Sequence, residues 1–174
     1  MHHDSVFVPR RPAAAGSVAL ACAVMGLGVS VGACTTGRAA PAAPAVAVAD
    51  PAVAAIEQVR VAFTAAIVAR DEAAMLALMA PGTVPFRARP VDSGKVFESN
   101  GAAFAHDIGG ATTAWAEEFS DVVITPRDGL AVLDASYRFL EDGKVSNHGR
   151  EVWTLIETPD GWRITSVSWS IIVD

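Results

Sequence analysis

The chain closes on GWRITSVSWSIIVD, residues 161–174. Side chains of an extended strand alternate between two faces. Trp162, Ile164, Ser166, Ser168, Ser170 and Ile172 share one face, and Arg163, Thr165, Val167, Trp169, Ile171 and Val173 share the other. Which set points inward decides what a binding pocket would be lined with. Three turns upstream bear on the choice: PRDGL (126–130), LEDGK (140–144) and TPDGW (158–162). Pro159 suits the first central position of a type I turn, and Gly161 then suits a left-handed bulge position. Three such bulged loops predict that 158 pairs with 162, 140 with 144 and 126 with 130.

In that register the odd-numbered residues line one face across four strands, because paired residues share a face. They are Ala131, Leu133, Ala135, Tyr137 and Phe139, then Val145, Asn147, Gly149, Glu151, Trp153 and Leu155, then Thr165, Val167, Trp169, Ile171 and Val173. The even face carries Asp134, Ser136, Arg138, Ser146, His148, Arg150 and three serines. The odd face is the more apolar and is assigned inward.

Upstream the period is helical. Asp50 before Pro51 is a helix start, with a capping carboxylate and a proline at the first helical position. Ile56, Val59, Phe63, Ala66 and Ile67 recur at helical spacing. Asp71 opens a second helix that stops at Pro81-Gly82. TVPFRA (83–88) and KVFE (95–98) are short strands, and SNGAAFAHDIGG (99–110) is a third helix capped near Ser99 or Asn100.

The first 49 residues are of another kind. Arg10 and Arg11 precede an uncharged apolar stretch, Val18–Val31, which is short for a permanent span. It ends in VGAC, residues 31–34. This resembles the bacterial lipoprotein box and implies cleavage before Cys34 and acylation of that residue. Residues 1–33 are thus expected to be a signal peptide, and the Ala- and Pro-rich residues 34–49 a tether. Thr35 after the cysteine, rather than an aspartate, implies anchoring at the outer membrane, facing the periplasm.

The helix, ARDEAAMLALMAPGTV (69–84), the short hairpin, the small helix and four long strands with a late Gly-Trp-x-Ile together resemble the nuclear transport factor 2-like superfamily. The resemblance spans residues 50–174 and is strongest to the SnoaL-like and ketosteroid-isomerase-like branch. It implies an α+β fold, a cone in which a curved antiparallel sheet wraps N-terminal helices around a pocket. Many relatives carry histidines two residues apart in the last strand; Ser166 and Ser168 stand there in this chain.

Fold does not fix function, so the inward groups decide it. Glu151 beside tryptophan in an apolar cavity would have its pKa raised by desolvation. Glu151 or Asp121 is a candidate general base, with Tyr137 and Asn147 orienting a carbonyl. Glu151 has a plainer reading as the ion-pair partner of Arg60 or Arg70. Trp153, Trp169, Trp115 and Phe63 are candidate ligand contacts, or simply core. Arg87 could reach the pocket mouth. His106 and His148 lack a third ligand at matching spacing, so no metal is expected, and no motif calls for a cofactor. A net charge of -6 argues against nucleic acid. The leading expectation is a lipid-anchored envelope domain that binds a small apolar or amphipathic ligand. Its alternatives are an isomerase, dehydratase or cyclase using a pocket carboxylate, and a structural dimerisation module. Leu130, Val132, Val152, Ile156, Ile164 and Ile172 on the even face point to a homodimer through the outside of the sheet.

Overall fold

The computed structural model describes residues 50–173. Residues 1–49, which hold the expected signal peptide, Cys34 and the expected tether, lie outside the described residues. Helix α1 (Pro51–Ala69) starts where expected: Asp50 Oδ1 accepts from the Ala52 amide at 2.9 Å. It ends where Arg70 turns left-handed, at φ 55°. Asp71 then caps α2 (Glu72–Ala77) by accepting from the Ala74 amide at 2.9 Å. This helix stops short of Pro81, because the chain after it joins the sheet. Ile164 donates to the Leu78 carbonyl at 2.9 Å, and the Ala80 amide donates back to Ile164 at 2.8 Å. The hairpin strands β1 (Pro85–Pro90) and β2 (Phe97–Asn100) follow, then α3 (Gly101–Gly110), capped by Asn100.

The remaining chain is four long strands: β3 (Trp115–Arg127), β4 (Leu130–Glu141), β5 (Lys144–Thr158) and β6 (Gly161–Ile171). The sheet order is β2-β1-β6-β5-β4-β3. All neighbours are antiparallel except β1 and β6, which run parallel. That pairing is possible because the long connection through α3 and β3–β5 lies between them in sequence.

Gly161 takes the left-handed position expected of it, at φ 99°, but the registers of all three turns differ from the expected ones, and the first two turns differ in type. Arg127 pairs with Leu130, Glu141 with Lys144 and Thr158 with Gly161. Asp128 and Gly129 have φ 51° and 77°, and Asp142 and Gly143 have 48° and 75°. Positive φ at both central residues is the type I′ turn, whose twist matches that of the flanking strands. The odd face nevertheless points inward over most of the sheet, for a different reason. Each hairpin carries its extra residue further along, as a bulge inside a strand. Ser146 is extra in β5 between the pairs Leu140–Val145 and Phe139–Asn147. Thr165 is extra in β6 between Leu155–Ile164 and Thr154–Ser166. In β3, Asp121 and Val122 together face Ala135.

These bulges invert the faces at the strand ends. Ile164 and Trp162 are buried inside, not part of the outer face. Val145 and Val173, assigned inward, are exposed. The bulges also bend and twist the strands, which curves the sheet around the helices. Against its inner face α1 presents Ile56, Val59, Phe63, Ala66 and Ile67, the five residues expected from spacing. They pack with Met75, Ile108, Leu133, Trp153, Leu155, Ile164 and Val167 in one hydrophobic core.

Candidate functional site

Polar side chains are scarce on the inner face, and Glu151 is the only charged residue fully buried among the described residues, at 4% exposure. It sits in mid-β5, opposite Ala135 on one side and Trp169 on the other. The expected pairing of 140 with 144 would have set Leu133 opposite Glu151; Leu133 instead faces Trp153. The shift sets Glu151 opposite the small Ala135, and the Glu151 side chain reaches across β4 toward β3. There it meets Glu117.

Glu117 was missed by sequence reasoning. It lies on the inner face of β3 opposite Phe139, between the inward Trp115 and Phe119. The two carboxyl groups are hydrogen-bonded to each other. Trp153, two residues from Glu151 on the same face, donates its indole N–H to Glu151 Oε1. Glu117 is half-buried as a residue, but its carboxyl is deep enough for desolvation to dominate. Desolvation, then the charge of Glu151 and the bond to it, hold Glu117 well above the usual carboxylate range. Desolvation also lifts Glu151, to about 7, against the opposing hydrogen bonds from Trp153 and Glu117. Both directions describe one proton resident on Glu117 and donated to the carboxylate of Glu151.

Among the described residues, no cation is paired directly with either carboxyl group. Arg60 of α1 donates to Glu57 through Nε at 2.9 Å and Nη2 at 2.5 Å. Its guanidinium lies 5.4 Å from the Phe119 ring centroid, a cation–π contact. It lowers the pKa of Glu117 only as a charge at a distance. Arg70 reaches the Thr112 carbonyl instead. Neither arginine is the ion-pair partner that the plainer reading gave Glu151.

Asp121 is not in this site. It takes the left-handed conformation of the bulge, φ 51°, and is exposed on the outer face, where it accepts from Ser136 Oγ at 3.2 Å. The bulge gives the inward place to Val122. Tyr137 and Asn147 do meet, though not as backbone neighbours. Tyr137 pairs with Gly149, and its hydroxyl approaches Asn147 Oδ1 at 2.7 Å and the Ser170 carbonyl at 2.9 Å. A side chain at 149 would run into that same carbonyl, so glycine keeps the path open. Burial, then the charges of Glu151 and Glu117, raise the Tyr137 pKa, so its proton stays on.

Aromatic rings surround these groups. Trp153 stands edge-on to Phe63 at 5.1 Å and to Phe119 at 5.7 Å. Trp169 meets Phe86 at 6.1 Å, and Trp115 meets Phe139 at 5.6 Å. Trp115, Glu117, Phe119, Phe139, Asn147 and Trp169 are only half-buried. They gather toward the start of β3 and the end of β4, the less covered part of the inner face. Arg87 lies elsewhere, paired at 3.0 Å with Glu98.

No protein-family model matches the chain, and no curated protein matches it in sequence. Solved structures do match in fold. A nuclear transport factor 2-like protein of cystatin-like fold from Novosphingobium aromaticivorans superposes with a TM-score of 0.58 at 16% identity, over 70% of this chain and 82% of that one. One from Cytophaga hutchinsonii gives 0.57 at 15%, over 69% and 98%. A member from Streptomyces avermitilis, named provisionally as a dehydratase, gives 0.54 at 19%, over 70% and 96%. The described domain therefore has the nuclear transport factor 2-like fold: mixed α and β, with a curved, unclosed six-stranded sheet.

Proposed function

We propose that this domain binds a small apolar or amphipathic molecule on the inner face of its sheet. The observation that supports this reading is the combination of half-buried aromatic rings with a carboxyl pair that has no direct counter-charge among the described residues. Ligand sites are mostly apolar surfaces with a few fixed polar groups, and Glu117 and Glu151 are such groups. Native mass spectrometry of the purified chain after exposure to an envelope extract tests it. A molecule retained at one per chain is expected; a chain that stays at its bare mass in every fraction sinks the reading.

A second reading, proton abstraction beside a carbonyl by an isomerase, dehydratase or cyclase, draws on one further feature. The two carboxyl groups are hydrogen-bonded to each other, and both are raised by burial, Glu117 further by the charge of Glu151. Glu151, near 7, suits a general base, and Glu117 suits an acid. Deuterium exchange at the α-carbon of cyclohexanone, followed by NMR, tests it. Exchange above the buffer rate that is lost in Glu151→Gln is expected, and an equal rate in the variant removes Glu151 as the base.

Lipidation at Cys34, attachment to the outer membrane facing the periplasm, and pairing through the outer face of the sheet belong to the same proposal. Leu130, Val132, Val152, Ile156 and Ile172 are exposed on that face, and so is Val123 after the β3 bulge. An apolar strip of this kind favours a partner. Labelling with a palmitate analogue tests the anchor: a Cys34→Ala chain that still takes up label ends it.

A further inference from the structure

Donors and acceptors around the proposed site can be matched almost completely. The Trp153 N–H and the acid proton of Glu117 both go to Glu151. The Tyr137 hydroxyl is placed between Asn147 and the Ser170 carbonyl. Trp115 is the exception. Its Nε1 is buried and has no hydrogen-bond partner, the one such side-chain atom among the described residues. An indole N–H can only donate. The neighbouring Phe139 ring, 5.6 Å away, offers at best a π face, a much weaker acceptor than oxygen.

The position of this donor is informative. Trp115 precedes Glu117 by two residues on one strand, so both side chains project from the same face about 7 Å apart. The residue is half-buried, within the less covered part of the inner face. We infer that Trp115 is a hydrogen-bond donor of the binding site, and that its ligand presents a neutral oxygen acceptor, such as a ketone, ester or ether. This inference rests on the ligand-binding reading and narrows it. An anion would enter beside the carboxylate of Glu151 and be repelled. A protonated amine brings only donors, and a hydrocarbon leaves the indole N–H as unpartnered as before. A neutral carbonyl or ether oxygen satisfies it without adding charge.

The test uses the full chain in lipid nanodiscs with ¹⁵N-labelled indoles. Cyclohexanone and methylenecyclohexane serve as probes, alike in shape and different only in the acceptor. The chain has 4 tryptophans, so single Trp→Phe variants assign the indole resonances. Cyclohexanone is expected to move the Trp115 N–H proton downfield and to bind about fivefold more tightly than the hydrocarbon, the value of one neutral hydrogen bond. Trp115→Phe should erase that preference, so that the two probes bind within about twofold of each other. The indole shift is read on the unaltered chain, so the test survives a variant that fails to fold. If both probes bind alike and the Trp115 proton does not move, or if Trp115→Phe weakens both equally, Trp115 only packs. The inference then fails while the pocket reading stands. If neither probe binds, both fall together.

Discussion

The carboxyl pair should set the pH dependence of stability, and Glu151→Gln isolates it. Glu151 ordinarily titrates at 4.5 and in the folded domain at about 7. The folded state therefore holds this proton more tightly than the unfolded chain does. The associated stability is fully present below pH 4.5 and is lost as pH rises through 7. A shift of that size corresponds to about 3 kcal/mol in all, most of it between pH 5 and pH 8. Glu117, raised for the same reasons, extends the loss in the same direction. Glu57 works oppositely: the hydrogen bond from Arg60 lowers its pKa, so its contribution is lost only in acid, below about 4.5. Urea unfolding at pH 5, 6, 7 and 8 separates these windows. For a domain of this size, the midpoint should fall by on the order of 1–2 M urea from pH 5 to 8. In Glu151→Gln, which keeps an oxygen for the Trp153 N–H, much of that slope should vanish. Equal pH slopes in the two proteins would refute the reasoning, and so would a midpoint that rises toward pH 8.

Three further outcomes are expected. Trp153→Phe removes the indole donor to Glu151 and leaves unfilled space beside Phe63 and Phe119. It should destabilise by about 2–4 kcal/mol at pH 7 in urea unfolding, and a loss below 1 kcal/mol would argue against the Trp153–Glu151 bond. Gly129→Val places a β-branched residue at φ 77° in open space. It should cost about 1–2 kcal/mol from backbone conformation alone, and a neutral result would contradict the type I′ turn. Ser168→Arg puts a charge on the outer face beside Val152. Light scattering of the domain from Asp50 onward should show a dimer that this change converts to a monomer; a monomeric parent domain would exclude the pairing.

The sequence by itself determined the elements and most of their faces. Asp50-Pro51 fixed where α1 starts, since capping and proline geometry are local, and the 3.6-residue spacing picked its five buried residues. Asp-Gly pairs marked the hairpins for the same reason. The sequence also made Glu117 available to a reader: it is a glutamate between two aromatic residues of the same parity, Trp115 and Phe119. What it did not determine was register. A β-bulge is set by how neighbouring strands fit, not by the residues within it. The extra residues at Asp121–Val122, Ser146 and Thr165 were therefore invisible until the strands were paired. One bulge turned Asp121 out to solvent, and another turned Ile164 into the core. The two-residue turn at Asp142-Gly143 and the bulge at Ser146 slid β4 against β5 by two residues from the expected register, which set the small Ala135 opposite Glu151. Only the tertiary structure could bring together two carboxyl groups from strands that are not neighbours, because their meeting depends on how the strands are paired and how the sheet curves.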